Sequence, residues 1–260
     1  MSSSLNVSGL IQQAAEIISQ SQYGVVLTGA GISTPSGIPD FRSTGSGLWT
    51  RFLPMEVASL DAFRHHPQRF FEWLRPLASH MLCAHPNAAH KSLARLENVG
   101  FVKTIITQNI DMLHQRAGSS QVLEVHGTLG TLSCLGCYQQ LEITEDMLTA
   151  YINKGIIPRC PSCAEILKPD VILLGEQLPA NTWKAAKKAV DACDLLCVVG
   201  SSLTVTPVAD LPLRAIRNGA KFIILNNMET HLDKQANVII RRDVAEILPK
   251  ITQRVLYAKQ

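Results

Sequence analysis

The feature that most limits what this chain can become is a set of four cysteines in two matched pairs, Cys134-Leu-Gly-Cys137 and Cys160-Pro-Ser-Cys163, with 22 residues between the pairs. Each pair puts two thiolates on one tight knuckle, and two knuckles facing each other close a shell of four sulfurs. Thiolate is a soft ligand and Zn2+ has no d-electron preference, so a tetrahedral four-sulfur shell suits zinc. That shell leaves no open coordination position. Cys134, Cys137, Cys160 and Cys163 therefore read as ligands of a structural zinc ion, and the chemistry of the chain has to lie elsewhere.

A chain of 260 residues with 46% hydrophobic content can bury a full core as one large or two smaller domains. Its net charge of +3 gives no argument for a nucleic-acid or membrane-surface partner. Four-cysteine zinc ribbons often read nucleic acid. Here Lys154, Arg159 and Lys168 stand against Glu142, Glu145, Asp146, Glu165 and Asp170, so no basic stripe is present. The start, Met1-Ser-Ser-Ser-Leu5, lacks the basic and apolar regions of a secretory signal. No apolar run approaches the roughly 18 residues of a membrane span. Paired thiolates suit a reducing compartment, so the expectation is a soluble, cytoplasmic protein with no membrane or nucleic-acid partner. Cys193 and Cys197, in or beside an apolar run, read as inert core residues.

Leu10, Ile11, Ala14, Ala15, Ile17 and Ile18 recur at helical spacing and predict an amphipathic helix near 7–20. Short apolar runs at Val25–Thr28, Lys103–Thr107, Leu195–Val199 and Lys221–Leu225 predict strands. Apolar strands without alternation, separated by helical patterns, indicate a parallel sheet covered on both faces. Two stretches interrupt that alternation. Residues 37–95 read as a loop followed by helices around 61–82 and 86–97; residues 128–170 hold the cysteine pairs and a helical pattern near 144–154. Both read as insertions that pack together as a smaller domain, beside a large α/β domain of residues 1–36, 96–127 and 171–260.

After the first strand comes Gly29-Ala30-Gly31-Ile32-Ser33-Thr34, where glycines let backbone amides approach a pyrophosphate and Ser33 and Thr34 add hydroxyls. Thr34 stands where the dehydrogenase fingerprint G-x-G-x-x-G has its last glycine, so the loop alone also fits a tight turn with no ligand. Gly37-Ile38-Pro39-Asp40-Phe41-Arg42 then brings a carboxylate, a ring and a guanidinium together. Arg pairs readily with phosphate, and Phe41 either covers a flat heterocycle or anchors the loop. Thr107-Gln108-Asn109-Ile110-Asp111 is a polar cluster at the carboxyl end of a strand, where open α/β sheets bind ligands; Asn109 also fits a helix cap.

Gly29 to Arg42, Thr107 to Asp111, His126-Gly127 and the cysteine pairs, in that order, resemble the sirtuins, NAD-dependent protein deacylases. Gly175-Glu176, Leu178-Pro179, Gly200-Ser201-Ser202-Leu203, Leu225-Asn226 and Asp243-Val244 extend the resemblance over almost the whole chain, and the compact termini are similar to the prokaryotic branch. It implies a Rossmann-type sheet domain with a smaller domain made of a zinc module and a helical module.

It also implies a reaction in which NAD+ is consumed. The acyl-lysine oxygen attacks the nicotinamide ribose and nicotinamide leaves. His126, as general base, then takes a proton from a ribose hydroxyl that attacks the resulting amidate, and water completes the transfer to give O-acetyl-ADP-ribose. An imidazole with an ordinary pKa of about 6.5 is a competent base at neutral pH. On this resemblance Asn109 and Gln108 hold the ribose hydroxyls or a water, while Ile110 and Asp111 line the nicotinamide pocket and Phe41 shields the intermediate. Gly29, Ala30, Gly31, Ser33, Thr34 and Arg42 serve the pyrophosphate side; Gly200, Ser201, Ser202, Asn226 and Val244 serve the adenosine half. Gly175 and Glu176, with the strand after Pro169, take the acylated-lysine protein or peptide by strand addition, and Leu174 lines the acyl-lysine tunnel.

Relatives specialised for acidic acyl groups carry a Tyr-x-x-Arg pair in the helical insertion, and no tyrosine occurs between Arg42 and Asn109. Acetyl or other uncharged acyl groups are therefore expected. Leu174 stands where the family often has Phe, which leaves tolerance of longer chains open. Competing readings are a protein ADP-ribosyltransferase and a silent NAD-binding or zinc-scaffold module. A Rossmann dehydrogenase is weaker still, because no acidic ribose partner follows the glycine loop at the usual distance. His65, His66, His80, His85, His90, His114 and His231 read as structural or exposed, and Trp49, Phe70, Phe71 and Trp73 as packing residues.

Overall fold

The apolar runs and helical patterns fold in the expected order in a computed structural model, which describes residues 7–40, 50 and 52–257. Phe41, Arg42 and Trp49 lie outside the described residues. The chain opens with α1 (Val7–Gln20), which buries Ile11, Ala14, Ala15 and Ile18, and leads into the fully buried β1 (Gly24–Thr28). Two 3-10 turns, Ala30–Ile32 and Thr34–Ser36, follow. Then come α2 (Pro54–Val57), α3 (Leu60–His65) and α4 (Pro67–Cys83). The sequence pattern read as one helix over 61–82 is thus broken at His66. Pro67 has no amide hydrogen to continue α3, but its fixed φ suits the first turn of a new helix.

Next are α5 (Ala88–Asn98), capped by the Asn87 side chain, β2 (Val102–Thr107), α6 (Leu113–Arg116) and β3 (Val122–Glu124). The cysteine region contributes β4 (Gly127–Cys134), β5 (Gln140–Glu142), α7 (Glu145–Lys154) and β6 (Leu167–Val171). Thr144 caps α7 at one end, and Gly155 ends it at φ 69°, a left-handed position that favours glycine. The chain closes with α8 (Ala180–Ala192), β7 (Leu195–Val199), α9 (Leu211–Arg217), β8 (Lys221–Leu225), β9 (Val238–Ile240) and α10 (Val244–Tyr257).

The large sheet runs β3-β2-β1-β7-β8-β9 with every pairing parallel. Side chains alternate across it. Val26, Ile105, Cys197 and Ile223 pack beneath α1, α5 and α10, whereas Val25, Leu27, Leu196, Val198 and Ile224 pack against α8 and α9. The order of winding reverses between β1 and β7, and in open sheets of this kind the crevice at that reversal is where ligands bind. A second, antiparallel sheet, β5-β4-β6, carries the cysteines. It joins the helical insertion through α4 and α7: Phe70, Phe71, Leu74 and Leu77 share a core with Tyr151, and Arg75 Nε donates to the carbonyl of Ile152.

One expectation needs correction. The helix near 86–97 was grouped with the 37–95 insertion, but Ala89, Leu93 and Leu96 of α5 lie in the core of the parallel sheet. Periodicity identifies a buried face without saying which layer it meets. Cys193 and Cys197 are buried, and burial pushes their thiols up to about 11 and about 12, which leaves them protonated and inert.

His90 of α5 and His114 of α6 are both buried, with ring centroids 4.9 Å apart. Burial, with His114 beside it, lowers His90 to about 3, and burial lowers His114 to about 4. Both therefore stay neutral in the fold at pH values where an unfolded histidine is charged. Unfolding takes up protons below about pH 6.5, so stability rises with pH between about 4 and 6.5 and is lost on acidification. Urea midpoints measured across that window should show a slope of up to about 1.4 kcal/mol per pH unit for each histidine, and His90→Leu should remove its share. An unchanged slope in that variant would assign the acid sensitivity to other groups.

Candidate active site

The crevice begins where two loops interlock. The amides of Gly29 and Gly31 donate to the carbonyls of Val199 (3.2 Å) and Gly200 (2.8 Å). A methyl group at Gly29 or at Gly31 would sit 2.9 Å from backbone atoms of Gly200. One at Gly200, itself at φ 64°, would meet the Ile32 nitrogen at 2.3 Å. This corrects the expected role of Gly29 and Gly31. Their amides are engaged within the protein, and the absent side chains let the loops after β1 and β7 touch. Ala30 faces the cavity beyond them. Thr34 is exposed, its hydroxyl donating to the carbonyl of Gly31.

The loop after β2 is locked onto the loop after β1. Thr28 Oγ1 donates to Thr107 Oγ1 (2.8 Å), which also accepts the amide of Asn109 (3.1 Å). Asn109 Nδ2 donates to the Gly29 carbonyl and to Ser33 Oγ, both at 3.1 Å. Ser33 Oγ in turn donates to Asp111 Oδ2 (2.6 Å), and Asp111 Oδ1 accepts the amide of Leu113 (2.9 Å). Asp111 is nearly buried. Burial raises its pKa, and the hydrogen bond from Ser33 opposes that shift. Asn109 is not the cap of α6, because Met112 holds that place at φ 58°.

His126 lies where the large sheet hands over to the small one. Its carbonyl accepts the amide of Ile172 (2.8 Å), and the next residue, Gly127, pairs with Val171. Gly127 has φ 77°, and a methyl group there would lie 1.9 Å from the Asp170 carbonyl oxygen, so only glycine fits. The half-buried imidazole places Nδ1 3.1 Å from the carbonyl oxygen of Gln108. A carbonyl only accepts, so Nδ1 carries the proton and Nε2 is the basic nitrogen. Gln108 Nε2 also donates to Ser201 Oγ (2.9 Å), tying this corner to the loop after β7.

A cavity of about 790 Å³ brings Ala30, Ser33, Gln108, Asn109, Ile110, Asp111 and His126 together with Leu174, Gly175 and Glu176. Gly200, Ser201, Ser202, Asn226 and Val244 do not line it; they lie along the ends of β7 and β8 and the start of α10. Val244 is the first residue of α10. Its side chain is buried in the sheet core, which leaves only main chain for an adenosine. Asn226 is also buried, with Nδ2 donating to the Met228 carbonyl.

Leu174, Gly175 and Glu176 line the same cavity. The amide and carbonyl of Leu174 are both paired, with Ala58 (2.9 Å) and Leu60 (3.0 Å), while its side chain remains exposed at the cavity. The Glu176 carboxylate turns inward. Its Oε2 takes the Leu173 amide (2.7 Å) and pairs with the buried ammonium of Lys168 (3.1 Å), which also donates to the carbonyls of Pro169 and Val171. Glu176 is therefore a brace of the wall, available to substrate through its main chain. Sequence reasoning gives no signal for Lys168, which holds Glu176, or for Trp183 and Lys187, which line the cavity; Trp73 packs on Phe70, as expected, and also lines it.

At the opposite end of β4 the four cysteine sulfurs lie within 4.8 Å of one another. Cys134 and Cys163 are 3.3 Å apart, and Cys137 and Cys160 3.5 Å. A tetrahedron with zinc–sulfur bonds of about 2.3 Å has edges of about 3.8 Å, so the donor set fits zinc. The knuckles repeat one backbone pattern. Cys134 donates to Gln139 and accepts from Tyr138; Cys160 donates to Glu165 and accepts from Ala164. Tyr138 and Ala164 occupy the same left-handed conformation, at φ 63° and 61°.

Fold and site together define an α/β protein with a dinucleotide crevice, a base aimed from its rim, and a second module fastened by four thiolates. The Sir2 family model matches residues 29–207, and the chain belongs to that family. It is 47% identical over 246 residues to NAD-dependent protein deacylase 2 of Archaeoglobus fulgidus, spanning 94% of this chain and 96% of that one. A solved Sir2 homologue in complex with NAD matches with a TM-score of 0.87 at 35% identity, over 96% of this chain and 95% of that one. A Sir2 protein solved with a deacetylated peptide and 3'-O-acetyl-ADP-ribose matches with a TM-score of 0.87 at 37% identity, over 94% and 97% of the two chains.

Proposed function

We propose that this chain is an NAD-dependent protein-lysine deacylase, transferring the acyl group to ADP-ribose with release of nicotinamide and O-acetyl-ADP-ribose. The observation that carries the reading is one cavity that holds both the base and the wall for a peptide. His126 faces it with Nε2 basic, and the 174–176 wall begins two residues beyond the main-chain bond between His126 and Ile172. The family and the relatives solved with NAD and with an acylated ADP-ribose support the cofactor assignment. NAD+ is the co-substrate, and the structural zinc ion belongs to Cys134, Cys137, Cys160 and Cys163.

In this reading His126 takes the ribose proton. Asn109 orients the sugar side of the cavity from the Gly29–Ser33 loop, and Ile110 and Asp111 receive the nicotinamide end. Ala30, Ser33 and Gln108 line the path toward the crevice. Gly200, Ser201, Ser202 and the main chain near Asn226 and Val244 extend it to the adenosine half. The acylated-lysine protein or peptide adds to the Gly175–Glu176 main chain, a mode that tolerates varied sequences. Uncharged acyl groups fit the wall formed by Ile38, Leu74, Met81 and Leu174. Among the described residues no helix is long and apolar enough to cross a membrane. A thiolate-held zinc suits a reducing compartment, in keeping with a cytoplasmic location.

Mass spectrometry of products from NAD+ with acetyl-, succinyl- and long-chain acyl-lysine peptides tests the proposal. Free lysine peptide, nicotinamide and an acylated ADP-ribose are expected with the acetyl peptide, and little product with the succinyl one. ADP-ribose left covalently on protein, or no peptide-dependent nicotinamide, would overturn it.

A further inference from the structure

We infer that Trp183 and Lys187 of α8 form a subsite for the carboxylate of an acidic residue flanking the acylated lysine. The inference rests on the deacylase reading and adds a sequence preference to it. The peptide wall leaves His126 at Ile172 and runs through Leu174 to Pro179, whose carbonyl accepts the amide of Trp183 (2.8 Å) at the start of α8. The main-chain groups of Leu173 are taken by Glu176, and those of Leu174 by Ala58 and Leu60. A substrate strand is therefore directed onto residues 175–178, with Val205, Thr206 and Pro207 also lining the cavity. That part of the cavity continues to Trp183 and Lys187, one helical turn apart on α8.

Charge selects the ligand. Among the described residues that line the cavity, the ionisable side chains are Asp111, His126, Glu176 and Lys187. Asp111 is held by Ser33 and Leu113, and Glu176 by Lys168 and the Leu173 amide. Lys187 is the one lysine or arginine among them. Its ammonium stands 5.6 Å from the centroid of the Trp183 ring, which gives it an aromatic backing. Asp191, the acid one turn further along α8, is drawn mainly to Arg214, which it grips with both carboxylate oxygens, and more weakly to Lys187. Lys184 and Lys188, both exposed on the same helix, add to the positive potential. A glutamate or aspartate fits this place: its carboxylate meets the ammonium, and its methylene stem lies on the indole.

The test is a series of acetyl-lysine peptides in which a single Glu, Ala or Lys is walked through the flanking positions. Turnover and calorimetric binding are measured on the wild type, Lys187→Met and Lys187→Glu. At one flanking position the wild type should favour Glu over Lys by about fivefold in peptide KM, the size of a partly exposed ion pair, with the KM for NAD+ unmoved. Lys187→Met should flatten that preference and Lys187→Glu should invert it. Raising the salt from about 50 to about 500 mM should shrink it in the wild type. A wild type without preference at every position, or a preference that survives Lys187→Glu, overturns the subsite. Peptide binding with the charge preference but without turnover would remove the deacylase reading while leaving the subsite in place; absence of both binding and turnover would remove both.

Discussion

Replacing His126 with alanine is expected to lower formation of O-acetyl-ADP-ribose by about 10²–10⁴-fold, the range over which a positioned general base contributes. The Gln108 carbonyl holds the proton on Nδ1, so in the neutral imidazole the basic nitrogen is Nε2. Alanine removes the base yet leaves the contacts among Gly29, Ser33, Asn109 and Asp111 intact. NAD+ affinity should therefore change little. In the proposed mechanism the base acts after nicotinamide has departed, so exchange of labelled nicotinamide into NAD+ should persist when product formation has collapsed. Quenched single-turnover assays that follow both species distinguish the two steps. Unchanged product formation in the variant would remove His126 from the reaction.

The second large effect concerns the zinc module. Cys163→Ser, or removal of zinc by a strong chelator, should unfasten β4, β5 and β6 while the six-stranded sheet stays folded. The module's own core is small: Leu132, Leu167, Cys134 and Cys160, with Leu141, Ile143 and Met147 at its edge. A cluster of that size cannot hold a fold alone, whereas zinc bound by four thiolates is worth about 10 kcal/mol or more in small zinc modules. Amides of residues 130–134 and of Leu167, Lys168 and Asp170 should lose hydrogen-exchange protection, and those of β1 and β7 should keep it. Deacylation should fall sharply, because β6 leads directly into the peptide wall. Metal analysis should find one zinc per chain before chelation. Intact protection after the metal has gone would make the cysteine shell incidental to the fold.

What could be read from the chain follows from how local each cause is. The strands β1, β2, β7 and β8 were legible because burial on both faces makes a strand apolar without alternation. The edge strands β3 and β9 are only three residues long, too short for an apolar run such as Val238-Ile239-Ile240 to stand out as a strand. Cysteine spacing announced the metal shell because each ligand pair sits on one turn. The glycines after β1 were legible as special, but for a different reason than expected: their close neighbour is Gly200, roughly 170 residues along the chain, and no local pattern names it. Lys168 and Glu176 illustrate the same limit. One looks like a surface lysine and the other like a substrate contact, and only the folded wall shows that they neutralise each other. Trp183 and Lys187 sit on an amphipathic helix, where a tryptophan reads as ordinary packing until the cavity beside it is seen.

The chain crosses between the two sheets at His126-Gly127 and returns at Val171-Ile172, and these crossings are hydrogen-bonded to each other. The small sheet and the large sheet are thus tied to each other right beside the imidazole. Because β4 runs unbroken from Gly127 to Cys134 and pairs with β6, loosening the metal knuckles would reach the main chain that carries the imidazole.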